Sequence, residues 1–481
     1  MFGQSETSHD SRCYGDRHEI AHPSRIHGSR ARPWLPGLPV VTTPIAVPLR
    51  VTRILEIGMI AYLTIYAFEG PIRYLLLQLQ LDNAIFLRDA LLALILVPVF
   101  FTPGIGPIAR TYLAWFVAIL GIHSIIIYGN FQDLTVIAYV FKEFMPVLFG
   151  VILGRLSGAP SRFVVSAFAA LWCVTALGLV LDKFVLTFPW TGLSTMIGGI
   201  KVDVGRDWMV HGFDKRVGGF TRSSIHAALF LPLMSMLPLV TVRRWSLRFL
   251  ITALTCGCVA LTTQKGALIG YLLVSVCFLV SYTAIRGALK AAYVAGLLLT
   301  FSLPLLLSGV TLQGSGGVYS LSSFAMRTGL TWPKAFHWIS QNEIFPFGVG
   351  LGGIGGAQRL YSPGDFNPGD NMFLFLYASF GVMTFVYVGF LSYICLADGR
   401  RNSPFDRFPR AVAAFHFTYG AVMSIVEDQS SCIILGLSIG YLLFARSPEP
   451  TEAVVAVPRR GGRTVTRRAE EVLADPPLSA A

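Results

Sequence analysis

Several short segments carry the residue types that hold anions or move protons. Lys215-Arg216-Val217-Gly218-Gly219-Phe220-Thr221-Arg222 sets three cations and two glycines just ahead of an apolar run. Guanidinium groups grip phosphate with two parallel hydrogen bonds, and glycine lets a ligand approach the backbone. A helix starting at the next residue would add N–H donors for the same anion. The segment suits equally an interfacial cluster that touches lipid headgroups.

Further along stand Arg327-Thr328-Gly329-Leu330-Thr331-Trp332 and then Pro346-Phe347-Gly348-Val349-Gly350-Leu351-Gly352. Gly348 to Gly353 formally matches GxGxxG, but it follows no strand of a βαβ unit and lies between apolar runs, so it is no dinucleotide fingerprint. Such glycines make a tight loop against a substrate or a neighbouring helix. Asp370-Asn371 open the next apolar run. Asp370 there is either a helix N-cap or a general base for a hydroxyl. Lys265, in the turn Thr262-Thr263-Gln264-Lys265-Gly266, is either a snorkelling interfacial lysine or a further anion contact.

The elements that must position these residues are membrane helices. Of 481 residues, 54% are hydrophobic and 13% charged, against about 25% charged in a soluble domain. Many apolar runs reach the roughly 20 residues that span a bilayer, without the alternation of barrel strands. The sequence predicts an all-α, polytopic transmembrane bundle of about twelve helices, near 53–69, 84–101, 109–128, 134–154, 163–182, 223–241, 246–263, 266–283, 288–308, 370–396, 408–426 and 430–445. The first apolar run begins only near Arg53, so it reads as a membrane anchor, not a cleavable signal.

The net charge of +12 falls largely in short inter-helix loops and the tails, which speaks for topology and against nucleic-acid binding. Arg110, Arg155, Arg162, Arg243, Arg244, Arg248, Arg286, Lys290, Arg400, Arg401, Arg407 and Arg410 all fall on one side if both termini are cytoplasmic. Residues 1–50 and 447–481 read as disordered basic tails flanking a membrane domain over 51–446. Two long connections, about 183–222 and 309–369, then face outward. They contain Trp190, Trp208, Phe213, Phe220, Phe324, Trp332, Phe336, Trp338 and Phe347, so they are expected to fold, as short helices lying on the membrane.

Lys142, Glu143, Arg88, Asp89, Glu56 and His123 lie within predicted spans and read as structural pairs between helices. Seven scattered cysteines make no CxxC pair and nine dispersed histidines make no metal motif, so no cofactor and no metal are expected. An outward-facing enzyme meets no nucleotide donor. Its donor must arrive activated, and a lipid-linked diphosphate is the natural one.

Together, Arg216 to Phe220 before a span, Leu261 to Ala267 at a turn, Arg327 through Trp332 to Gly352, and Asp370-Asn371 resemble the O-antigen polymerase and O-antigen ligase family of bacterial membrane glycosyltransferases. The resemblance covers about residues 53–445 and implies a GT-C-like fold in the inner membrane with both long loops periplasmic. It implies a metal-independent enzyme that polymerises undecaprenyl-diphosphate-linked oligosaccharide repeat units of an exopolysaccharide or O-antigen onto an acceptor glycan. It further implies Arg216, Arg327 and Asp370 as catalytic residues, with Arg222, Lys265, Trp332, Gly348, Gly350 and Asn371 touching substrate. A flippase and a chain-length regulator are the partners such a pathway implies. Ligase-like members carry histidine where Asp370 stands, which favours polymerase over transfer to lipid A–core. A lipid-linked oligosaccharide flippase and a non-catalytic assembly subunit are the competing classes. A flippase should show paired halves with interrupted helices, and no such symmetry is visible.

Overall fold

The computed structural model describes residues 49–100, 107–197, 200–206, 209–210, 214–280, 284–312, 320–397 and 404–444. Both tails, apart from residues 49 and 50, lie outside these residues, as do Trp208 and Phe213.

The described chain is mostly helical. α1 (Leu49–Ala67) bends by 74° into α2 (Glu69–Gln78). There follow α3 (Leu87–Phe100), α4 (Pro107–Phe131), α5 (Leu134–Ser157) and α6 (Arg162–Phe184). After the first long loop come α7 (Ser224–Thr241), α8 (Trp245–Leu261), α9 (Lys265–Val276) and α10 (Ile285–Leu307). The second loop contributes α11 (Ser322–Met326), α12 (Trp332–Asn342) and α13 (Gln358–Tyr361). α14 (Met372–Phe380), α15 (Met383–Leu396), α16 (Arg407–Gly420) and α17 (Gln429–Phe444) close the bundle.

Among the described residues five helices are long and apolar enough to cross a membrane, or six if α1 and α2 are one bent span. Such apolar helices point to membrane insertion. α8, α9, α15 and α17 are apolar but shorter. The predicted span 370–396 is broken between α14 and α15. Gly381 ends α14 at φ +56, and the second loop wedges in at the break, where Val382 N–H donates to Pro346 O at 2.8 Å.

Among the described helices α5 and α17 pack most extensively against each other, for a reason readable in the chain. Gly150-x-x-x-Gly154 on α5 faces Gly436-x-x-x-Gly440 on α17, and a Cβ on Gly436 would stand 2.1 Å from Val147 O. Small residues one turn apart let two backbones touch, which drives helix pairing where no water is left to expel.

The first long loop differs from the short helices expected of it. It forms two antiparallel ribbons, β1 (Ser194–Ile197) with β2 (Ile200–Asp203) and β3 (Met209–Val210) with β4 (Asp214–Lys215). Short runs rich in Ile, Val and Thr, with Gly198-Gly199 between them in sequence, favour a ribbon over a helix. The loop has its own small core of Phe188, Trp190 and Val204, with the two rings stacked at 4.4 Å. The described part of the second loop contains short helices, joined by an irregular glycine-rich stretch over 343–357.

Candidate functional site

Four charged side chains that are far apart in sequence line one cavity of about 480 Å³: Arg216, Lys265, Arg327 and Asp370. Three cations and one carboxylate leave it a net positive charge. Each arrives on a different element.

Arg216 ends the first loop. Its turn is clamped by Asp182, the acid near the end of α6, whose Oδ2 accepts from the amides of Gly218 and Gly219, each at 3.0 Å. Gly219 sits at φ +62 against the α6 backbone, which a side chain would disturb. Next to it, Gly70 N–H donates to Phe220 O at 3.0 Å, fastening the loop to α2. Partial burial, with the charge of Arg327 nearby, holds the Arg216 guanidinium below its usual pKa. An arriving anion relieves that repulsion.

Lys265 starts α9 after a strained turn. Thr263 adopts φ +58, a genuine outlier for a β-branched residue. The Lys265 ammonium donates to Ser320 O at 2.6 Å, tying the turn to the start of the second loop's helices.

Arg327 opens a π-helical turn, Arg327–Thr331, between α11 and α12. Such widened turns are rare and concentrate at functional sites. Its Nη1 donates to Ser323 Oγ at 2.7 Å, and its Nε lies 3.3 Å from Asp370 Oδ2. The turn is pinned to the end of α10, because Gly309 N–H donates to Thr328 O and Thr328 Oγ1 to Val310 O, each at 2.8 Å.

Asp370 is not the cap of α14. That role falls to Asn371, whose Oδ1 accepts from Leu374 N–H at 3.0 Å. Asp370 is therefore available to face Arg327, and it does so at φ +39. A non-glycine residue held in that region is a strain that persists only where its surroundings impose it.

The remaining residues singled out in the sequence sit elsewhere. Asn371 is fully buried and committed, since besides capping it donates to Thr300 O and Ala421 O at 3.0 and 2.9 Å. Trp332 is wholly buried, edge-on to Phe324, and backs the cavity wall without lining it. Gly348 and Gly350 face backbone: a Cβ would stand 2.5 Å from Gly381 N and 2.6 Å from Ile127 N respectively. They pack on neighbouring helices, at φ +79 and +104.

Arg222 points into a buried ionic network of the helices. Glu69 is its centre, with Arg73 at 2.7 Å, Arg88 at 3.9 Å and Arg222 at 4.0 Å. Asp89 joins through Arg88 at 3.4 Å and Lys142 at 3.7 Å. Tyr66 donates to Asp428, and His226 lies 3.5 Å from the same carboxylate. The pairing expected for Arg88, Asp89 and Lys142 is thus present, and through Arg222 it anchors the end of the first loop.

Asp182, Glu69 and Tyr419 are the contributors the sequence reading missed. Asp182 carried a signal, an acid at the edge of a span beside a Gly-Gly turn. Tyr419 carried none, because an aromatic in an apolar run reads as core. Among the described residues no group of three or more His, Cys, Asp or Glu is placed to hold a metal ion. Comparison with protein-family models, characterised proteins and solved structures returns no match for the chain.

Proposed function

We propose that the chain is a membrane glycosyltransferase that joins glycan units carried on a lipid diphosphate, at the outer face of a bacterial inner membrane. The observation that carries this reading is the convergence of Arg216, Lys265 and Arg327 on one cavity with Asp370. Three cations match a diphosphate, whose negative charge grows as the glycosidic bond breaks. Donors fixed in advance at developing charge are the largest single source of catalysis in such transfers.

In this reading the acceptor hydroxyl attacks the anomeric carbon of the donor. A carbon–oxygen bond forms to the acceptor, and the bond from the anomeric carbon to the diphosphate breaks. The lipid diphosphate leaves with the electron pair, held by Arg216 and Arg327. The hydroxyl proton passes to Asp370. In the free site Asp370 is paired with Arg327. Phosphate competes for that guanidinium, so donor binding loosens the pair and frees the Asp370 carboxylate to accept the proton.

The membrane reading gains support from the surface next to the site. Leu305 and Leu306 on α10 and Leu330 beside Arg327 are exposed, and the hydrogen bonds of Thr328 join these two segments. An apolar belt that continues from a candidate span onto the second loop suits a cavity opening at the level of the lipid. A full bundle of about twelve crossings of GT-C type, with both termini cytoplasmic and both loops periplasmic, belongs to the same proposal. The polymerase form is preferred over the ligase on the resemblance alone, through Asp370.

The test is polymer length in cells. Arg216→Ala and Arg327→Ala should each abolish long polymer while the protein stays in the membrane fraction. Normal chain length in both variants would end this reading.

A further inference from the structure

One wall of the cavity carries polar atoms that the fold leaves unused. The hydroxyl of Tyr419 is buried in a residue only 2% exposed, and among the described residues it has no hydrogen-bond partner. Thr263 Oγ1 and Gln264 Nε2 are likewise buried without a partner. All three residues line the cavity that holds Arg216 and Arg327.

Buried polar groups are nearly always paired, because each orphan forfeits its hydrogen bonds to water. Three orphans on one wall are therefore costly to keep unless something pairs with them. The wall is also built with care. Gly266 lets the turn before α9 press on the end of α16, since a Cβ there would stand 2.3 Å from Val422 Cγ2 and 3.4 Å from the Tyr419 ring. Thr263 is held in its left-handed conformation at the same place.

The chemistry of the three groups differs from that of the cations. An amide N–H and two hydroxyls, which both give and accept hydrogen bonds, match the hydroxyls of a sugar ring. The guanidinium groups match phosphate. We propose that Thr263, Gln264 and Tyr419 form a sugar-recognition wall, reading hydroxyls of the first glycan residue while Arg216 and Arg327 hold its diphosphate. This rests on the transferase reading above and adds to it the residues that distinguish a glycosylated lipid from a bare one.

The test compares two probes on purified full-length protein by calorimetric titration. One is farnesyl diphosphate, which has no sugar. The other is the lipid-diphosphate glycan pool extracted from source cells that lack this chain. Wild type should bind the glycan lipid at least about tenfold more tightly. Tyr419→Phe, which removes a single oxygen and keeps the ring, and Gln264→Ala should each lose about fivefold to tenfold for the glycan lipid, as expected for one hydrogen bond. Both should leave farnesyl diphosphate binding unchanged. Unaltered glycan-lipid affinity in both variants overturns the sugar wall alone, as does an equal loss for both probes, which would assign these groups to phosphate. Wild type that binds neither probe overturns the transferase reading together with the wall.

Discussion

Arg327 and Asp370 meet across the cavity, Nε to Oδ2 at 3.3 Å, and each reaches that meeting through an unusual backbone. Arg327 opens a π-helical turn and Asp370 sits at φ +39. The pair is partly exposed, at 18% and 24% for the two side chains. The Nε that makes the pair is itself buried, so the pair lies between an exposed one, worth about 0–1 kcal/mol, and a fully buried one, whose rupture costs about 3–5 kcal/mol. Its geometry is better explained by a ligand than by the fold.

Function and stability should therefore separate at this pair. Arg327→Ala and Asp370→Asn should each shift the unfolding free energy by no more than about 3 kcal/mol. Polymer formation should fall about a hundredfold or more, the scale of losing a charge stabiliser or a general base. Thermal melting in detergent, set beside polymer yield, checks the split. A large loss of stability in both variants would make the pair a structural strut.

Asp182 should matter to the cavity without lining it. Asp182→Ala removes the acceptor of two amides and frees the turn that carries Arg216. The cost should be about 1–3 kcal/mol, the penalty for stranded buried donors. Farnesyl diphosphate affinity should fall with it, and Asp182→Asn, which keeps one acceptor oxygen, should recover part of both. Titration of the three proteins decides.

Glu69 should behave as a structural residue and Arg222 with it. Glu69 is 2% exposed and faces three arginines. Glu69→Ala leaves their charges uncompensated, at a cost of about 3–5 kcal/mol. Folded, monodisperse protein should be nearly lost, as size-exclusion chromatography will report. Arg222→Ala should lower stability while the protein that remains folded binds farnesyl diphosphate as wild type does. A selective loss of that binding would return Arg222 to the substrate site.

The glycine seam between α5 and α17 gives a fold-level prediction. Gly436→Leu cannot be seated against the Val147 carbonyl. Helix separation should remove most folded protein, whereas Gly257→Ala on α8, with open space around it, should be neutral. Yield after detergent extraction tells them apart.

What the sequence made legible follows from what each residue type must do. Long apolar runs reveal helices because lipid offers the backbone no other partner, and α4, α5, α6, α7 and α10 were visible for that reason. The break between α14 and α15 was not, because its cause is a loop arriving from earlier in the chain. The charged residues at loop ends stood out because charge beside an apolar run must be explained. Arg216, Lys265, Arg327 and Asp370 do share a cavity, whereas Arg222 turns to Glu69, a partner nothing local identifies. Asp370 and Asn371 could not be told apart as cap and cavity residue, because both types cap helices well. Gly348 and Gly350 showed that a close approach was needed, but not that the neighbour is a helix.

The most direct test is transfer by purified protein in liposomes supplied with extracted lipid-diphosphate glycan and nothing else. Wild type should give a ladder of joined glycan units, Arg216→Ala and Arg327→Ala none, and whatever Arg222→Ala protein remains folded a retained ladder. A ladder of undiminished length from both cavity arginine variants would contradict the transferase reading.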